Sequence, residues 1–188
     1  MAEAAASRRR AIFLDRDGVL NADAGYTHRP HDLRVLPGVP AALKTLKERG
    51  FALVVVTNQS GVARGLYGLD DVARFHAALD AAIIADGGVA PDAYYVCPHL
   101  PDGIVPAFRK VCACRKPLPG LVLDAVAQRQ LDLSASFLVG DRTTDVACAV
   151  AAGVRAVQIV GPGGAPDPRV LATAASLFDA LPHLVEAR

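Results

Sequence analysis

Residues 11–21, Ala-Ile-Phe-Leu-Asp-Arg-Asp-Gly-Val-Leu-Asn, decide how the chain reads. Four apolar residues, Ala11 to Leu14, run straight into Asp15, and Asp17 follows two positions later. A short run that is apolar throughout, rather than alternating, marks a strand covered on both faces, as in a parallel sheet. The same grammar recurs twice. Phe51 to Val56 ends at Thr57-Asn58-Gln59-Ser60, and Phe137 to Val139 ends at Gly140-Asp141. Tyr94 to Val96 and Ala156 to Val160 read as two further strands.

Between these runs the apolar spacing is helical. Pro37 to Arg49 carries Val39, Leu43 and Leu46 on one stripe and stops at Gly50. Leu69 to Ala85 carries Val72, Phe75, Leu79 and Ile83. Pro119 to Gln130, Thr143 to Ala152 and a last segment near Leu171 to Val185 are also expected as helices, with Gly161 to Gly164 a loop. Strands alternating with helices predict an α/β fold, a doubly wound Rossmann-like parallel sheet with helices on both faces. Ligands of such sheets bind beyond the carboxyl ends of the strands. The expected rim therefore gathers Asp15, Thr57 to Ser60 and Asp141.

Composition fits this plan. Hydrophobic residues make up 52% of the 188, aromatics only 5%, and there is no Trp, so the core is built from Ala, Val, Leu and Ile. The formal charge of +1 provides no global field for nucleic acid or a membrane surface. No apolar stretch approaches the roughly 20 residues of a bilayer span. Residues 1–10 are expected as a disordered leader and 11–188 as one domain, cytoplasmic and monomeric. In that compartment the four cysteines call for a reduced or metal-bound state rather than disulfides.

Two carboxylates as close as Asp15 and Asp17 repel unless a cation or proton intervenes. A hard divalent ion such as Mg²⁺ suits them, shares its coordination with phosphate, and gains a further ligand in Asp141. That arrangement makes Asp15 a nucleophile and Asp17 a general acid and then base. Taken alone, an Asp-x-Asp after a strand is equally compatible with a turn or a helix cap. Thr57 to Gly61 offers a hydroxyl, amides and backbone N–H groups to an anion, and as a lone motif is equally compatible with a loop built on an Asx-type turn. Arg115-Lys116 places two cations before the helix at Pro119, where anions are already favoured. Cys97, His99, Cys112 and Cys114 supply three thiolates and an imidazole, a closed tetrahedral set for structural Zn²⁺ within a loop spanning 97–114. Cys148 reads as a small core residue, and His28 and His31 as surface residues.

In this order, Asp15-x-Asp17-Gly18, Thr57, Lys116 and Gly140-Asp141 resemble the haloacid dehalogenase-like phosphatase superfamily, over residues 12 to about 160. The resemblance implies that Asp15, Asp141 and the backbone carbonyl of Asp17 hold Mg²⁺, and that Thr57 and Lys116 steady the transferring phosphoryl group. Asp145 would support the metal or cap its helix. The Cys/His loop, with Thr57-Asn-Gln-Ser-Gly-Val-Ala-Arg-Gly65 and Cys114-Arg-Lys-Pro117, looks like the D-glycero-D-manno-heptose 1,7-bisphosphate 7-phosphatases and related histidinol-phosphatases. There the zinc loop stands in place of a large cap domain. By that resemblance Asp23, Ala24, Gly25 and Tyr26 line a small phosphorylated sugar, together with Thr57, Asn58, Gln59, Ser60, Arg115, Lys116 and Arg142. Arg115 beside Lys116 suits a second phosphate. The family carries Lys after the last Asp of its pattern where this chain has Arg142, and guanidinium and ammonium differ in geometry. The alternative readings are the same chemistry on histidinol phosphate or another small phosphomonoester, and a non-catalytic zinc-stabilised binding module.

Overall fold

The structure, a computed structural model, describes residues 8–186. Its centre is a six-stranded sheet in which every pairing is parallel. The strands are β1 (Arg9–Leu14), β2 (Ala52–Asn58), β3 (Ala93–Cys97), β4 (Leu131–Gly140), β5 (Arg155–Ile159) and β6 (Ala172–Ala174). Their spatial order is β3-β2-β1-β4-β5-β6. The chain winds outward from β1 to one edge, then returns to the other side through β4. The order therefore reverses between β1 and β4, and a crevice opens there at the carboxyl ends.

Side-chain alternation along the strands divides the interior into two layers. Ile12, Leu14, Leu53, Val55 and Val139 face one way, against α1 (Val39–Glu48), α2 (Leu69–Ala85) and the short α5 (Leu181–Val185). Ala11, Phe13, Val54, Val56 and Leu138 face the other, against α3 (Gly120–Arg129) and α4 (Thr143–Ala152). Each fully buried Leu, Ile or Phe here contributes about 1.5–3 kcal/mol relative to exposure. Cys148 lies in the second layer, as a core residue should.

Three expectations need correction. Residues 1–7 of the expected leader lie outside the described residues, but Arg9 and Arg10 belong to β1, paired with Leu131 and Asp132. The strand expected at 137–139 starts earlier, at Leu131. Its polar first half, with Asp132, Ser134 and Ser136, accommodates a register shift, and Ser136 Oγ accepts the Ala11 N–H at 2.8 Å. The segment expected as one helix from Leu171 to Val185 instead adds β6 to the sheet edge and becomes helical only at Leu181. Open backbone groups on the β5 edge capture it: Leu171 N–H donates to Ala156 O and Val160 N–H to Ala174 O. Pro182 then fits the first turn of α5.

Among the described residues no large cap domain covers the crevice. Two excursions flank it instead, residues 15–38 after β1 and 98–119 after β3. They bring the remaining site residues to the rim.

Candidate active site

Asp15 leaves β1 at the crevice. Its N–H donates to Val139 O at 2.9 Å, so it sits on the same ladder as the strand. Lys116 Nζ reaches Asp15 Oδ1 at 2.9 Å, Asp145 Oδ1 at 2.6 Å and Val56 O at 2.8 Å. All three side chains are buried. Burial pushes the Asp15 carboxyl up to about 7; Lys116 opposes the shift, and Asp145 and Asp17 add to it. The two carboxylates in turn hold Lys116 protonated well above the usual lysine range, against burial. Asn58 fixes the lysine's backbone from both sides, donating to Lys116 O and accepting from Lys116 N, each at 3.0 Å.

Asp15, Asp141 and Asp145 each offer a carboxylate oxygen within 4.8 Å of the other two. Asp141 Oδ1 is buried with no hydrogen-bond partner, and burial followed by the Asp145 charge raises its pKa. A buried acceptor left unsatisfied is costly unless a cation completes it. This oxygen-rich set fits a hard divalent ion such as Mg²⁺. Asp145 takes the capping role, since its Oδ2 accepts the Arg142 N–H at 3.0 Å and opens α4, and its other oxygen, Oδ1, is the one that meets Lys116. Gly18 backs directly onto the set. With φ at +81° it occupies the left-handed region, and a Cβ there would lie 2.4 Å from Asp141 Oδ2.

The Asp17 side chain is outside that set. Arg16, fully buried, grips it through Nε at 3.1 Å and Nη2 at 2.9 and 2.8 Å. Asn21 Nδ2 and Gln59 Nε2 donate to it at 2.9 and 3.1 Å. Gln59 also donates to Thr57 Oγ1 and accepts from Tyr67 OH, each at 2.8 Å. Sequence reading missed the clamp, because nothing local distinguishes a buried arginine from a solvated one.

These groups open into a cavity of about 740 Å³. Of the residues expected to line substrate, Asp23, Gly25, Tyr26, Thr57, Asn58, Gln59, Ser60, Arg115, Lys116 and Arg142 are on its wall. Ala24 is not, and its N–H turns inward to Thr27 Oγ1 at 3.1 Å. Arg64, Tyr67, Thr143 and Thr144 line it as well and were not anticipated. Arg142 is tied to Asp23 at 2.6 Å. Lys116 is held between Asp15 and Asp145 at the base of the cavity, whereas Arg115 beside it has no acidic partner among the described residues. His31 is exposed, as expected, whereas His28 is half-buried and stacks on Tyr67 at 4.4 Å.

Cys97, His99, Cys112 and Cys114 converge at the start of the second excursion. Five of their ligand-atom separations fall between 3.2 and 3.8 Å. A tetrahedral metal with bonds near 2.3 Å to sulfur would space its ligands by about 3.7 Å. Burial holds the Cys97 thiol above its usual range, and burial holds His99 below its own. A neutral imidazole is already in the ligand state, and a dication would reverse the cost of packing thiolates together.

A doubly wound sheet with an Asp-x-Asp at its switch point, a buried lysine and a third aspartate defines a hydrolase of the haloacid dehalogenase-like class. Residues 113–163 match the HAD-hydrolase-like family. The chain is 46% identical over 153 residues to the D-glycero-beta-D-manno-heptose-1,7-bisphosphate 7-phosphatase of Yersinia pestis, covering 81% of each. It is 43% identical over 177 residues to the enzyme of the same description in Escherichia coli (strain K12), covering 94% of this chain and 92% of that one. The crystal structure of D,D-heptose 1,7-bisphosphate phosphatase from B. bronchiseptica, complexed with magnesium and phosphate, superimposes with a TM-score of 0.81 at 33% identity, covering 94% of this chain and 98% of that one. The chain belongs to the D-glycero-beta-D-manno-heptose-1,7-bisphosphate 7-phosphatase family, and it is a phosphoric monoester hydrolase.

Proposed function

We propose that the chain removes the 7-phosphate of D-glycero-beta-D-manno-heptose 1,7-bisphosphate through an aspartyl-phosphate on Asp15, leaving the heptose 1-phosphate. The observation that carries this reading is the buried Asp15–Lys116–Asp145 network at the base of a cation-lined cavity. The names of the relatives support the beta anomer.

An Asp15 carboxylate oxygen attacks phosphorus, and the bond from phosphorus to the C7 oxygen breaks. Asp17 gives a proton to that leaving oxygen. A water molecule, surrendering its proton to Asp17, then attacks phosphorus, releases inorganic phosphate and restores Asp15. In the position described, Asp17 is an acceptor toward Arg16, Asn21 and Gln59, so donation requires its carboxyl to swing off Arg16 toward the cavity. Lys116 and Thr57 place positive charge and a hydroxyl where the phosphoryl oxygens gather charge. Asp15 and Asp141, with the Asp17 carbonyl, would hold Mg²⁺. When bound, the ion neutralises phosphate charge and favours the ionised form of Asp15. Cys97, His99, Cys112 and Cys114 would hold structural Zn²⁺. A thiolate site of this kind requires reduced cysteines and accords with a cytoplasmic enzyme, acting as a monomer.

The test is turnover by the purified chain, with Mg²⁺, of both heptose bisphosphate anomers and of histidinol phosphate. The beta bisphosphate is expected to give the highest kcat/KM. A preference for histidinol phosphate would replace the substrate, and absence of Mg²⁺-dependent phosphate release from all three would reject the reaction.

A further inference from the structure

The charges around the cavity leave two cations unspent. Four basic side chains line it: Arg64, Arg115, Lys116 and Arg142. Lys116 is held by Asp15 and Asp145, and Arg142 by Asp23. Arg115 makes only a long 3.3 Å bond to the carbonyl of His99. Among the described residues Arg64 has neither an ion pair nor a side-chain hydrogen bond, although it lines a cavity that also contains four aspartates. Its guanidinium lies over the Tyr26 ring, 5.9 Å from the centroid. Tyr26 itself is held at a φ of +54°, a conformation that bulky residues rarely adopt and that marks functional loops.

The turn carrying Arg64 is anchored from outside the cavity. Ala63 O accepts the N–H groups of Ile104 and Val105 at 2.8 and 3.0 Å, both on the Cys/His loop. Gln59 N–H donates to Cys97 O at 2.8 Å. Arg115 follows Cys114 directly, so the same loop positions both unspent arginines.

We infer that Arg64 is a specificity-determining residue that binds the phosphate not being cleaved, with Arg115 as its partner. This rests on the bisphosphate reading of the cavity and deepens it. A dianionic phosphate matches two planar guanidinium forks, each able to donate in bidentate fashion. Neither arginine is needed for the attack by Asp15. A substrate with a single phosphate therefore leaves Arg64 idle.

The experiment compares the wild type, Arg64→Met and Arg64→Lys on heptose 1,7-bisphosphate and on heptose 7-phosphate, with KM and kcat determined separately. Arg64 is exposed, so the methionine variant should fold normally. For the bisphosphate its kcat/KM should fall about ten- to hundred-fold, carried by KM, as loss of a charge-assisted hydrogen bond implies. For the monophosphate it should stay within about two-fold. Arg64→Lys should recover part of the loss. An equal fall on both substrates, or no fall on either, overturns the assignment while leaving the phosphatase reading intact. A wild type that releases no phosphate from the bisphosphate overturns both.

Discussion

Replacing Lys116 with methionine removes the one cation between two buried carboxylates. In the native protein Lys116 Nζ joins Asp15 at 2.9 Å and Asp145 at 2.6 Å, and all three residues are buried. Removing one member of a buried charge network leaves the rest uncompensated and costs about 3–5 kcal/mol. For a chain of this size that lowers Tm by roughly 6–20 °C. The deficit should depend on pH. Asp15 is already pushed up to about 7, with Lys116 pulling it down against burial; without the lysine its folded pKa rises further. A carboxyl whose folded pKa exceeds its unfolded value destabilises the fold as pH rises between the two. Lys116→Met should therefore be closer to wild type at pH 5 than at pH 8 in magnesium-free buffer. Adding Asp145→Asn, which can still accept from Arg142 N–H, removes one of the stranded charges. The double variant should fall short of the sum of the single costs by about 1–3 kcal/mol, yet recover no activity. Urea melts of the four proteins measure this. Additivity within about 0.5 kcal/mol, or a deficit that grows toward acid pH, would refute the network.

Gly18→Ala should leave the sheet folded but displace Asp141, against which its Cβ would lie at 2.4 Å. Mg²⁺ activation should shift to higher concentration by at least about ten-fold, and an unchanged activation curve would contradict the placement of Asp141. One zinc per chain should copurify, and its removal by a strong chelator should raise KM for the bisphosphate, because the Cys/His loop anchors Ala63 and carries Arg115; full stability and an unaltered KM after metal loss would reject the site. His76, buried in α2 and stacked on Tyr94 at 4.1 Å, has its pKa lowered to about 3, first by burial and then by Arg16. Unfolded histidine takes up protons below about 6.5 while the folded one does not, so this group should remove about 2 kcal/mol of stability between pH 7 and pH 5. His76→Phe should lessen that acid loss, and an identical pH profile would show that His76 is not held neutral.

The fold was legible wherever a strand had both faces covered, since a strand such as Ala11 to Leu14 can then only be apolar throughout. The site was legible because parallel topology brings the carboxyl ends of β1, β2 and β4 to one rim, whatever their distance in sequence. Leu131 to Ser136 and Ala172 to Ala174 were not legible as strands. Their pairing comes from open backbone edges on β1 and β5, which leave no periodicity in the side chains. Charge pairing was hidden for a related reason. Arg16, Arg64, Arg115 and Arg142 look alike in sequence, but one clamps Asp17 from the interior, one is neutralised by Asp23, and two face the cavity without acidic partners. Only the folded arrangement of acids tells them apart.

Covalent attack by Asp15 is most directly tested by the stereochemistry at phosphorus. The 7-phosphate of the bisphosphate, made chiral with oxygen isotopes, would be transferred to an acceptor alcohol and the configuration of the product read by phosphorus NMR. Two successive displacements, one by Asp15 and one on the aspartyl-phosphate, predict retention. Inversion would mean a single direct displacement and would contradict the role given to Asp15.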